Sequence, residues 1–256
     1  MYGQKVLAKL DQKKYRQEHG IFMVEGKKGV LDALNSAAEV VQLVATNRFV
    51  HEQRQFCQLP EVQTFFHQKR VLTLADHAFN ALVETTTPQG IAAVVQLPRL
   101  SLSALLSGKT IAILDDIRDP GNLGTIIRTA DWFGVDALLC VGGADPYQPK
   151  VVRSSMGSLF HLPIFISEDL TTEVAELKRA GFTLVVTRPE LADQPSLPLP
   201  RDQKVALVFG NESRGTSPLL DETADQAFSL PRFGKAESLN VAVSFGLVLY
   251  ELKNPR

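Results

Sequence analysis

The residues of this chain whose types and spacing could do chemistry fall in three short stretches of its second half. The first runs Asp115-Asp116-Ile117-Arg118-Asp119-Pro120-Gly121-Asn122, with Arg128 six residues beyond the amide. The second, Phe209-Gly210-Asn211-Glu212-Ser213-Arg214-Gly215, sets a carboxylate between two glycines. The third runs from Leu230 to Asn240 and pins Glu237, Ser238 and Asn240 between two apolar segments. A few polar groups held on rigid elements are what an active site requires. Plainer roles stand beside this one: Asn122 or Ser238 as a helix cap, Arg128 as a surface charge.

Several chemistries find no support. No G-x-G-x-x-G follows a strand, and the P-loop, G-x-S-x-G and H-E-x-x-H patterns are missing. Four of the five histidines (His19, His51, His67, His77) lie in the first hundred residues, away from the three stretches. An ordinary dehydrogenase, kinase or serine hydrolase is therefore not indicated. The Asp115-Asp116 pair has no histidine or third carboxylate at helical spacing, so no metal site is expected. Cys57 and Cys140 are far apart, which suits neither a disulfide framework nor zinc and fits a reducing cytoplasm.

The stretches need elements to hold them. Apolar runs at 110–117, 137–143, 163–166, 183–188 and 205–211 read as strands with helical patterns between them. One of these helices is expected to be capped by Thr171 or Thr172, and another to start at Ser217-Pro218. Such alternation predicts a mainly parallel α/β sheet covered on both faces. Ligands of such sheets sit beyond the carboxyl ends of the strands. Residues 1–97 predict a smaller α/β module: helices over 3–18, 27–36, 58–68 and 76–84, strands at 21–24, 40–46, 70–75 and 91–97, and a turn at 85–90. The Ser/Leu-rich 98–108 reads as a linker, leaving 109–256 as the second domain.

Of the 256 residues, 45% are hydrophobic and 21% charged, with a formal net charge of -1, so no bulk positive field advertises a nucleic-acid partner. Charge is nevertheless uneven. In residues 1–30, Lys5, Lys9, Lys13, Lys14, Arg16, Lys27 and Lys28 face only Asp11, Glu18 and Glu25. No secretory signal is read at the N-terminus, and no apolar run approaches the roughly 18 residues of a membrane span.

Taken together and in order, the stretches D-P-G-N-L-G-T-I-I-R-T-A (119–130), F-G-N-E-S-R-G (209–215) and L-P-R-F-G-K-A-E-S-L-N-V-A-V (230–243) resemble the three motifs of the SpoU (TrmH-like) family of RNA 2′-O-ribose methyltransferases, in the SPOUT superfamily. R-S-S-M-G-S-L-F (153–160) is also similar to the family. The first module resembles the ribosomal-protein-L30e-like substrate-binding domain frequent in that family, on Lys14-Tyr15-Arg16, Phe22-Met23-Val24-Glu25-Gly26 and Thr87-Pro88-Gln89-Gly90-Ile91.

The resemblance implies S-adenosyl-L-methionine as cofactor, bound in a C-terminal trefoil knot, and a homodimer acting on structured RNA in the cytoplasm, with ribosomal RNA favoured over transfer RNA. Carried over by position, it implies cofactor contacts at Gly210, Leu230 and Leu239. It implies catalytic and substrate-positioning roles for Asn122, Arg128, Glu212, Ser238 and Asn240. RNA phosphates are expected at Lys13, Lys14, Arg16 and Lys27. The family's usual proposal makes the motif-one arginine the base. A guanidinium, which keeps its proton in proteins, is instead expected to bind phosphate and stabilise a developing alkoxide. Metal is not required, because a sulfonium is already activated. The alternative on the same fold is a catalytically silent RNA-binding or scaffold protein.

Overall fold

Short runs of Val, Ile, Leu and Ala, too short for helices and bounded by polar turns, make the strands of this protein. The computed structural model describes residues 1–188, 191 and 203–254. The chain divides into two compact units: Met1–Arg99 with Asp145–His161, and Leu100–Ala144 with the residues from Leu162 on.

In chain order the first unit opens with α1 (Gln4–Leu7), α2 (Lys13–His19), β1 (Ile21–Glu25), α3 (Lys27–Leu34) and β2 (Val40–Thr46). It continues with α4 (Asn47–Glu52), α5 (Arg54–Cys57), α6 (Pro60–His67), β3 (Val71–Leu74), α7 (Asp76–Asn80) and β4 (Ile91–Gln96). The sheet runs β1-β4-β2-β3, with β4 antiparallel to both neighbours and β2 parallel to β3. Its core gathers Leu7, Leu10, Ile21, Val44, Phe79, Ala92 and Val94.

The helix expected over 3–18 is broken into α1 and α2. The carbonyls of Leu10 and Asp11, which a continuous helix would keep for its own ladder, accept instead from Arg16 Nη1, both at 2.7 Å. The helix expected over 76–84 ends at Asn80. Helix α4 was not legible as such; Thr46 caps it by accepting from the Phe49 N–H at 3.0 Å.

The second unit carries α8 (Leu102–Leu106), β5 (Thr110–Asp115), α9 (Pro120–Trp132) and β6 (Ala137–Val141). The segment Asp145–His161, with α10 (Pro149–Ser154), belongs to the first unit although its sequence lies within the range expected for the second domain. There Phe22 meets Tyr147 and Phe160, with ring centroids 5.0 and 6.4 Å away. The second unit then resumes with β7 (Ile164–Ile166), α11 (Leu170–Arg179), β8 (Thr183–Thr187), β9 (Val205–Phe209), α12 (Pro218–Thr223), β10 (Gln226–Phe228) and α13 (Val241–Lys253).

Among the described residues its strands form one sheet in the order β10-β8-β9-β5-β6-β7, every neighbouring pair parallel. Both faces are buried, which is why the strands read as continuous apolar runs rather than alternating ones. Leu105 of α8 is fully buried in this core, so residues expected to be linker open the unit instead. The cap of α11 is Asp169, not Thr171 or Thr172: its side chain accepts from the Thr172 N–H.

Strand β5 holds the key position. The chain leaves it on one side through α9 to β6, while β9 pairs on its other side. The loops after β5 and β9 therefore emerge side by side at the carboxyl edge, where the strand order reverses and an open sheet leaves a crevice.

Candidate active site

The loop after β5 sets the first side chain. Asp119 caps α9 by accepting from the Asn122 N–H at 2.8 Å, and Pro120 takes the first helical position, where no N–H is needed. A Cβ at Gly121 would come within 2.9 Å of the capping Asp119 oxygen. Asn122 is thus not the cap; the cap frees its amide to reach elsewhere. Asn122 Nδ2 donates to Glu212 Oε1 at 3.1 Å.

Asn240 completes the cluster. Its Oδ1 caps α13 by accepting from the N–H groups of Ala242 and Val243, at 3.0 and 3.3 Å. The cap is therefore Asn240 rather than Ser238. Asn240 Nδ2 donates to Asn122 Oδ1 at 3.0 Å and reaches Glu212 Oε1 at 3.5 Å. The Val241 N–H also donates to Glu212 Oε1, at 3.3 Å. One carboxylate oxygen thus gathers donors from the first turns of two helices. An anion belongs there, since helix N-termini carry unsatisfied N–H groups and a positive dipole end.

The loop after β9 is closed by Asn211. Its backbone exchanges 2.9 Å hydrogen bonds with Gly215, and its Oδ1 accepts from Ser213 N and Arg214 N. Its Nδ2 donates to the Asp116 carbonyl at 2.9 Å, tying this loop to the one after β5. Asp115, buried, accepts from Ser217 N at 2.6 Å, and Asp116 pairs with Arg118 at 2.8 Å. Hydrogen bonding to Asp116, with its charge, raises the Arg118 pKa above the ordinary value. The two aspartates are loop fasteners. Gly210 is required by contact: a Cβ there would lie 2.5 Å from the Gly215 carbonyl carbon and oxygen.

Two adjoining clefts open beside this cluster. One, of about 240 Å3, is walled by Phe228, Leu230, Leu239 and Val248 with Ser229, Ser238 and Thr187. The other, of about 440 Å3, is lined by Gly210, Glu212, Arg214, Ser238 and Leu239 among others. Gly210, Leu230, Ser238 and Leu239 therefore all face the clefts. Arg128 does not join them by any bond. It lies about 9 Å along α9 from Asn122 and about 120° around it. It is exposed and, among the described residues, has no hydrogen-bond or ion-pair partner.

A family model described as the SpoU rRNA Methylase family matches residues 109–250, and one described as an MRM3-like substrate binding domain matches 5–93. The chain belongs to the SpoU methylase family. It is 35% identical to the Bacillus subtilis 23S rRNA guanosine 2′-O-methyltransferase RlmP, over 96% of this chain and 93% of RlmP. An AdoMet-bound rRNA methyltransferase from Sinorhizobium meliloti superposes with a TM-score of 0.81 at 31% identity, covering 97% of this chain and 93% of that one. The SpoU methyltransferase AviRb from Streptomyces viridochromogenes, in complex with AdoMet, gives 0.78 at 27% identity over 97% and 96% of the two chains.

In this SpoU family member the residues expected to meet RNA separate into two kinds. Lys13 and Lys14 are exposed at the start of α2, and Lys27 lies at the start of α3 with Nζ 3.4 Å from Gln53 Oε1. Arg16 is a correction. It is only 2% exposed, donates to Asp145 Oδ2 through Nε and Nη2 at 3.2 and 2.6 Å, and spends Nη1 on two carbonyls. Its guanidinium is an internal fastener of the first unit, not a phosphate contact. Sequence reasoning also passed over Asp119 and Asn211. The Asp-Pro pair at a helix start signalled the first; nothing in the sequence distinguished the second from a solvent-facing amide.

Proposed function

We propose that this chain transfers the methyl group of S-adenosyl-L-methionine to a ribose 2′-hydroxyl of structured RNA, with ribosomal RNA as the first candidate and transfer RNA as the second. The observation that carries this reading is the Asn122–Glu212–Asn240 cluster at the carboxyl edge of the sheet, bordering clefts lined by Gly210, Leu230 and Leu239. RlmP, similar over nearly the whole chain, is named for the same reaction.

The clefts suit the cofactor's chemistry: Leu230, Leu239, Phe228 and Val248 offer apolar surface to a flat nucleoside, and Ser238 offers a hydroxyl. Bound there, the cofactor supplies a methyl group already activated by a sulfonium. The protein's part is positioning. Glu212 Oε1 fixes the Asn122 and Asn240 amides, while Oε2 has no partner among the described residues and is open to a ribose hydroxyl. Arg128, charged and uncommitted, takes an RNA phosphate and stabilises negative charge as the hydroxyl attacks. Loss of the hydroxyl proton is assisted by an RNA phosphate oxygen or by Glu212.

The reading includes a trefoil knot in the C-terminal part of the chain, an L30e-like first unit, cytoplasmic location and a homodimer. For the dimer, Val243, Leu247 and Tyr250 are 52%, 45% and 55% exposed at i, i+4 and i+7 of α13, an apolar stripe with no cover in one copy. Among the described residues no helix is long and apolar enough to cross a membrane.

The test is transfer of labelled methyl to ribosomal and transfer RNA, with mapping of 2′-O-methyl positions. Arg128→Ala should abolish transfer while leaving cofactor binding intact. Full recovery with Arg128→Lys would count against a planar guanidinium role. RNA binding without any transfer by the unaltered chain would make it a scaffold instead.

A further inference from the structure

Phe233 is 96% exposed, the largest exposure among the large apolar side chains of the described residues. A ring left in water forgoes the burial that stabilises other phenylalanines, so its position asks for a partner. It stands in the segment Pro231-Arg232-Phe233-Gly234-Lys235 and, with Arg232, borders the cleft that Leu230, Ser238 and Leu239 also line. Arg232 and Lys235 are exposed with it. Asn240 of the polar cluster follows five residues after Lys235.

A cation, an aromatic ring and a second cation on one exposed segment match the chemistry of single-stranded nucleic acid. The ring stacks on a base of any sequence, and the cations take the flanking phosphates. We propose that Phe233 is a stacking platform for an unpaired base of the RNA substrate beside the ribose to be methylated, with Arg232 and Lys235 holding the adjacent phosphates. This rests on the function proposed above and deepens it: the target nucleotide sits in a loop, bulge or unwound segment rather than inside a duplex.

Two other partners fit less well. The cofactor as a whole carries a net positive charge at neutral pH, which two neighbouring cations do not favour, and Phe233, although it borders the cleft, is 96% exposed and so keeps a ring face open to a second, larger ligand. A second copy of the chain is better matched by the uncharged stripe of α13.

The experiment compares Phe233→Ala, Phe233→Trp and the double variant Arg232→Gln/Lys235→Gln with the unaltered chain, on a single-stranded RNA and on a duplex of the same sequence. The readouts are RNA KM, cofactor Kd by calorimetry and oligomeric state by sedimentation. Phe233→Ala should raise the single-stranded RNA KM about tenfold, with cofactor Kd and oligomeric state unchanged, and Phe233→Trp should restore it. The double variant should flatten the salt dependence of RNA binding by about 1.4 in log–log slope. A loss of cofactor affinity in Phe233→Ala would assign the ring to the nucleoside, and dissociation of the oligomer would assign it to an interface; either overturns the inference. Unchanged KM with transfer intact would overturn it while leaving the proposed function standing. Failure of the unaltered chain to methylate any RNA would instead sink that function.

Discussion

Asn122 and Glu212, ninety residues apart in the chain, meet through a 3.1 Å hydrogen bond from Nδ2 to Oε1. Asn122 comes from the first turn of the helix after β5, Glu212 from the loop after β9, and these two strands are neighbours in the sheet. The contact exists because the strand order reverses there.

If Glu212 acts by holding the two amides, its charge matters less than its oxygen. Glu212→Gln keeps an acceptor at Oε1 and should lower methyl transfer less than tenfold. Glu212→Ala removes it and should lower transfer about a hundredfold or more. A loss of a hundredfold or more in the Gln variant, measured by single-turnover transfer, would make Glu212 the proton acceptor.

Asn240 has two duties that separate. Asn240→Ser retains a capping oxygen for α13 but cannot reach Asn122. It should leave stability within about 0.5 kcal/mol while transfer falls, whereas Asn240→Ala should also cost about 1 kcal/mol in urea unfolding. Equal stability losses in both variants would contradict the capping role.

Gly210→Ala forces a Cβ against the Gly215 backbone, which cannot yield as a flexible side-chain end would. The turn that displays Glu212 should open. A drop in cofactor affinity of at least tenfold is expected, together with a stability loss of about 1–3 kcal/mol. Calorimetric titration that found unaltered affinity would show that this turn tolerates displacement.

The basic residues of the first unit should divide by burial. Arg16→Ala leaves Asp145 without its ion-pair partner, with the Tyr147 N–H still donating to it, and should cost about 3 kcal/mol or more, with little change in the salt dependence of RNA binding. Lys13→Gln and Lys14→Gln together should leave stability within about 0.5 kcal/mol and reduce the log–log salt slope by about 1.4. Filter binding across a salt series reads the second effect directly; an unchanged slope would remove both lysines from the RNA contact set.

The sequence by itself determined the strands of the first sheet and five of the six of the second, because strands buried on both faces are written as unbroken apolar runs; β10, three residues long, opening with Gln226 and only partly buried, carries no such signal. The sequence also marked the three polar stretches, since each is a short polar break at the end of such a run and all three match one family's motifs in order. Tertiary structure decided which side chains of those stretches act together. Asn122 reads as a cap until Asp119 is seen to do the capping. Asn240 and Ser238 are equally polar on paper, yet only the Asn240 side chain caps α13 and reaches Asn122. Arg16 and Lys14 look alike as charges, and only packing against Asp145 buries one of them. Phe233 is hidden in a motif whose letters say nothing of its exposure. A residue's type is local, whereas its burial and its distant partners are set by the fold: Glu212 meets Asn122 across ninety residues and Asp145 meets Arg16 across more.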